Sequence, residues 1–208
     1  MRFRDRADAG RQLGLRLAGG LPGERPLVLG LARGGVAVAR EVALAVDGEL
    51  DVLVVRKLGA PSQPELAIGA VASGGGRALN SGLIEQLGLD IRHVWEAAAR
   101  EAAGLDARAR RYRGDRPSPQ PCGRPVILVD DGLATGATMR AAVASVSALR
   151  PARLTVAVPV GAPDTVAGLR EAADDVVCLL EPEPFLAVGE WYERFDPVDD
   201  DEVVSLLG

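Results

Sequence analysis

The chain has 208 residues, of which 48% are hydrophobic, and its formal net charge is −5. This length and apolar content predict one domain around a buried core and exclude global disorder. The negative charge and the lack of a long basic run argue against nucleic acid as a partner. The sequence also lacks a long apolar stretch, which argues against a membrane, so we expect a cytoplasmic protein.

Strand and helix patterns alternate along most of the chain. In chain order, the pattern predicts a strand at 25–32, a helix at 36–46, a strand at 51–56, a loop at 57–64 and a strand at 66–72. It then predicts a helical segment at 80–113 with Asp90 as its N-cap, a strand at 125–130, a helix at 137–149, a strand at 154–160, a helix at 164–173 and a strand at 175–180. This alternation predicts an α/β fold with a parallel sheet whose ligands lie at the carboxyl ends of the strands.

The segment after residue 180 has a different composition. Two prolines are followed by four of the chain's seven aromatic residues. A short terminal helix that begins with acidic residues is predicted after them. The two cysteines, Cys122 and Cys178, have neither CxxC spacing nor a histidine beside them. We therefore expect neither a disulfide framework nor a zinc site.

Residues 126–138 carry the strongest functional signal. An apolar strand delivers Asp130 and Asp131 to the edge of the sheet, and two threonines flank Gly136 at the start of the next helix. Hydroxyl and amide groups at a helix N-terminus suit a phosphate, and carboxylates can accept hydrogen bonds from ribose hydroxyls. On the residues alone, a solvated strand end with an N-capping threonine stays open as an alternative.

This stretch resembles the motif with which type I phosphoribosyltransferases bind 5-phosphoribosyl 1-pyrophosphate (PRPP): a hydrophobic strand, two acids and a Thr-Gly-x-Thr loop. The whole chain is similar to a bacterial subgroup of predicted phosphoribosyltransferases. The resemblance implies a mostly parallel central sheet flanked by helices, with a small hood. The residues that would bind PRPP are Asp130, Asp131, Gly132, Leu133, Ala134, Thr135, Gly136, Ala137 and Thr138.

The resemblance also implies an activity, which is Mg²⁺-dependent transfer of ribose 5-phosphate from PRPP to a nitrogenous acceptor such as a nucleobase. Asp130 and Asp131 would bind the ribose hydroxyls, and residues 134–138 would wrap the 5-phosphate. The cofactor Mg²⁺ would be held by PRPP itself, with water-mediated contacts from the two acids and no direct protein ligand. We expect a single domain with its core at about 25–180, a helical insertion at about 80–115 and a hood at 181–208, and we leave a homodimer open.

Two further segments match functional loops of the family. Arg33, Gly34 and Gly35 stand where the family places its pyrophosphate loop, which often contains a cis peptide bond, although an ordinary tight turn would look the same. Lys57 is the only lysine among 24 basic residues. With Arg56 it stands where the family places a mobile loop, and both could stabilise the leaving pyrophosphate, whereas the alternative is a pair of solvated surface charges.

The acceptor is less well defined by the sequence. Ala134 stands where enzymes acting on 6-oxopurines carry an acid, which makes hypoxanthine and guanine less suitable, and the loop is more similar to adenine- and uracil-type loops. Glu65 is a candidate general acid or base. We expect Trp191 and Tyr192 to stack on a flat acceptor, which requires one or the other to be partly exposed. The alternative is that these aromatic residues only pin the terminal segment to the sheet.

Other functional classes fit less well. A non-catalytic, PRPP-binding regulator of the same fold is the main rival, but the sequence shows neither a helix-turn-helix segment nor a basic face. An unrelated α/β hydrolase or phosphatase would need a GxSxG motif or a nucleophilic aspartate motif, and both are missing from the sequence.

Overall fold

The computed structural model describes residues 2–19, 25–61 and 63–208. Its helices are α1 (Arg6–Ala18), α2 (Gly34–Ala45), α3 (Ser81–Gln86), α4 (Ile91–Arg113), α5 (Ala137–Ser147), α6 (Pro163–Arg170) and α7 (Asp200–Leu207). Its strands are β1 (Leu27–Leu31), β2 (Glu49–Leu53), β3 (Val55–Ala60), β4 (Gln63–Ala72), β5 (Arg77–Leu79), β6 (Pro125–Val129), β7 (Arg153–Val160) and β8 (Asp175–Leu180). A 3₁₀ turn spans Val188–Trp191.

The central sheet has five parallel strands in the order β2-β1-β6-β7-β8. Helices α1 and α2 pack on one face, and α5 and α6 pack on the other. All five residues of β1 are buried, as expected for a strand covered on both faces. The predicted α/β fold with a parallel sheet is confirmed, and β1 and β6 lie side by side at its centre.

Helix α1 was not among the predicted elements. It begins after Asp5, whose side chain accepts a hydrogen bond from the backbone N–H of Asp8 at 2.9 Å. Its glycines face α2 so closely that a Cβ on Gly14 would lie 2.5 Å from the Cβ of Ala45. This close packing brings the start of α1 to the carboxyl end of the sheet, where it contributes to the site described below.

The prediction for residues 51–64 was wrong in two respects. The apolar run at 51–56 does not form one strand, because β2 ends at Leu53 and β3 begins at Val55 in a separate sheet. The predicted loop at 57–64 instead lies in the antiparallel strands β3 and β4, where Ala60 pairs with Gln63; Ser62 lies outside the described residues. Strand β5 completes this three-stranded sheet.

The helical segment predicted at 80–113 is two helices, α3 and α4, rather than one. Helix α4 begins where predicted, since the Asp90 side chain accepts a hydrogen bond from the backbone N–H of Arg92 at 2.9 Å. In the described ranges, none of the helices has both the length and the apolar character that a membrane crossing requires.

A buried ion pair fixes the end of α4 to the sheet. The Arg113 Nε lies 2.8 Å from the Asp51 Oδ2, with side-chain exposures of 3% and 6%. The Arg113 guanidinium also donates to the Ser118 hydroxyl at 3.1 Å. Because Asp51 lies in β2, this pair joins α4 to the edge strand of the central sheet.

We predict that Arg113→Gln lowers the free energy of unfolding by about 3–5 kcal/mol, because the substitution leaves the Asp51 carboxylate buried without its cation. Urea denaturation measures this loss. The control is Arg110→Gln, at an exposed position one turn earlier, which should change stability by no more than about 0.5 kcal/mol. Equal losses for the two variants would contradict the prediction.

Candidate active site

Two adjacent carboxylates lie at the carboxyl end of β6. Asp130 and Asp131 directly follow the strand, and both are partly buried. The Asp130 Oδ1 accepts a hydrogen bond from the backbone N–H of Asp131 at 2.9 Å. The pair therefore stands at the centre of the sheet, next to the turn that follows β1.

The turn between β1 and α2 presses against this acid pair. A Cβ on Gly34 would collide with the Asp131 carboxylate, and a Cβ on Gly35 would lie 2.6 Å from the carbonyl oxygen of Val129. The peptide bond between Ala32 and Arg33 in this turn is cis. Glycine is required at both positions because the backbone passes too close to β6 for any side chain.

The loop over residues 132–138 follows the acid pair and leads into α5. Gly136 has a φ of 67°, a conformation that favours glycine, and it is the N-cap of α5 without a capping side chain. The Thr165 hydroxyl donates to the carbonyl oxygen of Ala134 at 2.7 Å, which holds the loop in place. Thr135 and Thr138 are exposed, and they flank the start of α5, where the helix dipole is positive.

Arg6, which the sequence did not single out, joins this group from the first residue of α1. Its Nε lies 2.8 Å from the Asp131 Oδ2, with side-chain exposures of 12% and 17%. Its Nη1 donates to the carbonyl oxygen of Asp196 at 2.7 Å, and its guanidinium lies 3.9 Å from the centre of the Phe195 ring. No local sequence pattern marks Arg6, because its partner is 125 residues away.

The environment changes the proton affinity of the acid pair. Burial raises the pKa of Asp130 well above its usual range, and the neighbouring Asp131 carboxylate adds to the rise. Burial also raises the pKa of Asp131, while the Arg6 guanidinium opposes that rise. Two carboxyl groups this close titrate as a pair, so the ligand-free protein carries a destabilising charge when both are ionised.

The basic residues predicted to act in a mobile loop lie on different sides of β3. The Lys57 Nζ donates to the Glu65 carboxylate at 3.2 Å, and both line a cavity of about 520 Å³ between the antiparallel sheet and α5. Arg56 instead pairs with Glu101 of α4 at 2.7 Å. The structure brings Lys57 and Glu65 together in one cavity, with Arg140 on its opposite wall. Arg56 does not line this cavity.

Arg33 points its side chain toward the C-terminal helix. Its Nη1 lies 3.8 Å from the Asp200 Oδ1, and the Tyr112 hydroxyl donates to the same carboxylate oxygen at 2.6 Å. The Tyr112 hydrogen bond, together with nearby arginines, holds the pKa of Asp200 below its usual value. In this arrangement the backbone of the turn, rather than the Arg33 side chain, lies nearest to the acid pair.

The prediction that Tyr192 stacks on an acceptor was wrong, because this residue is buried. Tyr192 is only 4% exposed, and its ring packs between the rings of Phe3 and Phe195. Its hydroxyl donates to the carbonyl oxygen of Asp131 at 2.6 Å, and burial raises its pKa, so it stays a donor. Trp191 is partly exposed, as expected, so of the two aromatic residues only Trp191 remains available for stacking on an acceptor.

Sequence comparison agrees with this geometry. A profile of the phosphoribosyl transferase domain matches residues 6–192. The chain belongs to the phosphoribosyl transferase family. Two Mycobacterium tuberculosis proteins, from strains CDC 1551 and H37Rv, are each 47% identical to it over 205 residues. Their names assign them provisionally to the phosphoribosyl transferases, and the match covers 99% of this chain but 46% of theirs, so the chain spans about half of their length.

Solved structures confirm the predicted fold of this family. The crystal structure of TT1426 from Thermus thermophilus is 48% identical, with a TM-score of 0.89, and the match covers 100% of this chain and 98% of that one. A hypothetical protein from Neisseria gonorrhoeae with bound ppGpp has a TM-score of 0.54 at 12% identity, over 100% of this chain and 97% of that one. The second likeness concerns the fold alone. Membership places the chain in a family of transferases.

We predict that Asp130→Asn stabilises the ligand-free phosphoribosyl transferase domain at high pH. A carboxyl whose pKa is raised by folding contributes stability that is present below its unfolded pKa, near 3.8, and is lost as the pH rises through the folded pKa. Each pKa unit corresponds to about 1.4 kcal/mol, and asparagine removes that loss while keeping an acceptor for the Asp131 N–H.

The free energy of unfolding, measured by urea denaturation from roughly pH 4 to pH 8, checks this prediction. The advantage of Asp130→Asn over the unmodified protein should grow with pH. Asp115→Asn, at an exposed position in the connector before β6, should show no such trend. A constant or shrinking advantage for Asp130→Asn would show that the pair carries no destabilising charge.

Proposed function

We propose that the chain transfers ribose 5-phosphate from PRPP to a nitrogenous acceptor and releases pyrophosphate. The observation that carries the proposal is the meeting of three segments at the carboxyl end of the central sheet. These are the acid pair, the glycine turn after β1 and the start of α5. Each segment offers the chemistry that one part of PRPP requires.

The three segments correspond to the three parts of PRPP. Asp130 and Asp131 accept hydrogen bonds from the two ribose hydroxyls. Residues 134–138 bind the 5-phosphate, because the exposed threonine hydroxyls and the start of α5, which lacks a capping side chain, favour an anion. The backbone at Arg33, Gly34 and Gly35 passes close enough to the acids to bind the pyrophosphate beside the ribose.

The donor atoms at this edge suit Mg²⁺, which prefers hard oxygen ligands and retains several waters. Two carboxylates are at hand, and in the described parts of the chain no three acidic, histidine or cysteine side chains cluster as a complete metal site. Asp130 and Asp131 would hold Mg²⁺ through water, with the remaining oxygens coming from PRPP. When bound, the ion would neutralise part of the charge on the pyrophosphate.

The transfer breaks the bond between ribose C1 and the pyrophosphate oxygen, and pyrophosphate leaves with the electron pair. The lone pair of an acceptor nitrogen forms the new bond to C1, and that nitrogen loses its proton. We assign the stabilisation of the leaving charge to Lys57 and the uptake of the proton to Glu65. Arg56 has no part in this assignment, because it pairs with Glu101 on the other side of β3. The Glu65 side chain is 98% exposed, so its ion pair with Lys57 can open when a substrate enters.

The acceptor is proposed to bind beside the C-terminal segment. Trp191 is partly exposed there, and its Nε1 is buried without a hydrogen-bond partner among the described residues. A flat nitrogenous acceptor such as a nucleobase suits an aromatic surface of this kind.

We predict that PRPP with Mg²⁺ binds in the micromolar range and that Asp130→Asn combined with Asp131→Asn weakens binding by roughly a hundredfold or more. The reason is the loss of charge-assisted hydrogen bonds to both ribose hydroxyls. Isothermal titration calorimetry measures both affinities.

The matched control is another adjacent aspartate pair, Asp174 and Asp175. It lies at the amino end of β8, so it is at the opposite end of the strands from the acid pair. Asparagine at both of those positions should leave PRPP affinity within about twofold, because the backbone N–H of Leu154 keeps an acceptor. If Asp130→Asn combined with Asp131→Asn left PRPP affinity unchanged, the result would contradict the proposed function.

A further inference from the structure

Arg6 is the one cation that contacts the acid pair among the described residues. Its Nε meets the Asp131 Oδ2 at 2.8 Å, while a Cβ on Gly34 would lie 3.2 Å from the same Nε. The guanidinium therefore occupies the corner between the carboxylate and the glycine turn. Both side chains of the ion pair are mostly buried, so solvent screens it less than it screens a surface pair.

Three contacts fix the guanidinium itself. Besides Asp131, it donates to the carbonyl oxygen of Asp196 at 2.7 Å and lies against the Phe195 ring at 3.9 Å. A planar guanidinium can satisfy all three contacts at once, whereas the compact ammonium of a lysine cannot. The Arg6 side chain is therefore held rigidly before any substrate arrives.

The other side of Asp131 is held by the C-terminal segment. The Tyr192 hydroxyl donates to the Asp131 carbonyl oxygen at 2.6 Å, and the Tyr192 ring stacks on Phe195. Phe3 forms a parallel bridge with Tyr192, and its backbone N–H donates to the carbonyl oxygen of Trp191 at 2.8 Å. Arg6 and Tyr192 thus meet at one site residue and restrain its carboxylate and its backbone, respectively.

We propose that Arg6 is a positioning residue, which orients the Asp131 carboxylate toward the ribose hydroxyls of PRPP. This inference rests on the proposed function. Without Arg6, the carboxylate would be free to rotate and would lose the cation beside it. The ribose part of the substrate would then bind more weakly, while the pyrophosphate part, which meets the glycine turn, would not.

The experiment compares the affinities of PRPP and of inorganic pyrophosphate, each with Mg²⁺, for the full chain and three variants, by isothermal titration calorimetry. Arg6→Gln should weaken PRPP binding roughly tenfold, the ratio typical of one lost charge-assisted hydrogen bond, and should change pyrophosphate binding less than about twofold. Arg6→Lys should restore part of the PRPP affinity. Arg4→Gln, a nearby exposed residue whose side chain pairs with Asp8, should change neither affinity.

Each other outcome overturns the inference in a recognisable way. Equal weakening of both ligands by Arg6→Gln would mean a general loss of structure or of positive charge, and unchanged PRPP affinity would mean that Asp131 needs no support. If Arg6→Gln does not fold, Arg6→Lys decides, since it must weaken PRPP more than pyrophosphate. If the unmodified chain does not bind PRPP, the proposed function fails as well, whereas binding that is insensitive to Arg6 removes this inference alone.

Discussion

The turn after β1 approaches the end of β6 so closely that it has no room for a side chain at Gly34 or Gly35. A Cβ on Gly35 would lie 2.6 Å from the last carbonyl oxygen of β6, and a Cβ on Gly34 would collide with Asp131. This close approach places a bare backbone turn against two carboxylates. It also leaves the carboxylates partly buried next to each other, which raises their pKa values and makes the ligand-free site electrostatically unfavourable.

The terminal segments offset part of that unfavourable charge. Arg6 neutralises Asp131 from α1, and Tyr192 holds the backbone of the same residue. The aromatic rings near the end of the chain form the surface on which both contacts depend. An arrangement of this kind keeps two adjacent acids in place although their charges oppose folding, which is a common feature of binding sites.

The sequence was sufficient for the central sheet because strands buried on both faces read as continuous apolar runs. It was insufficient for residues 57–64, whose glycine and prolines resemble a loop, while the actual pairing of β3 with β4 shifts register at Gly59. The acid pair and the loop over residues 132–138 are contiguous in sequence, so the sequence could mark them as candidates, whereas Arg6 reaches the site only through the packing of α1 on α2. Exposure could not be predicted either, because nothing in the sequence separates a buried Tyr192 from an exposed one.

The central claim, that the acid pair, the glycine turn and the start of α5 bind one PRPP molecule together, is tested most directly by amide hydrogen exchange. Exchange is measured by mass spectrometry with and without saturating PRPP and Mg²⁺. We predict slower exchange at both 33–35 and 130–138, and no change at the amino end of β8 around Asp174. Protection of only one of the two segments, or protection elsewhere with both unchanged, would contradict it.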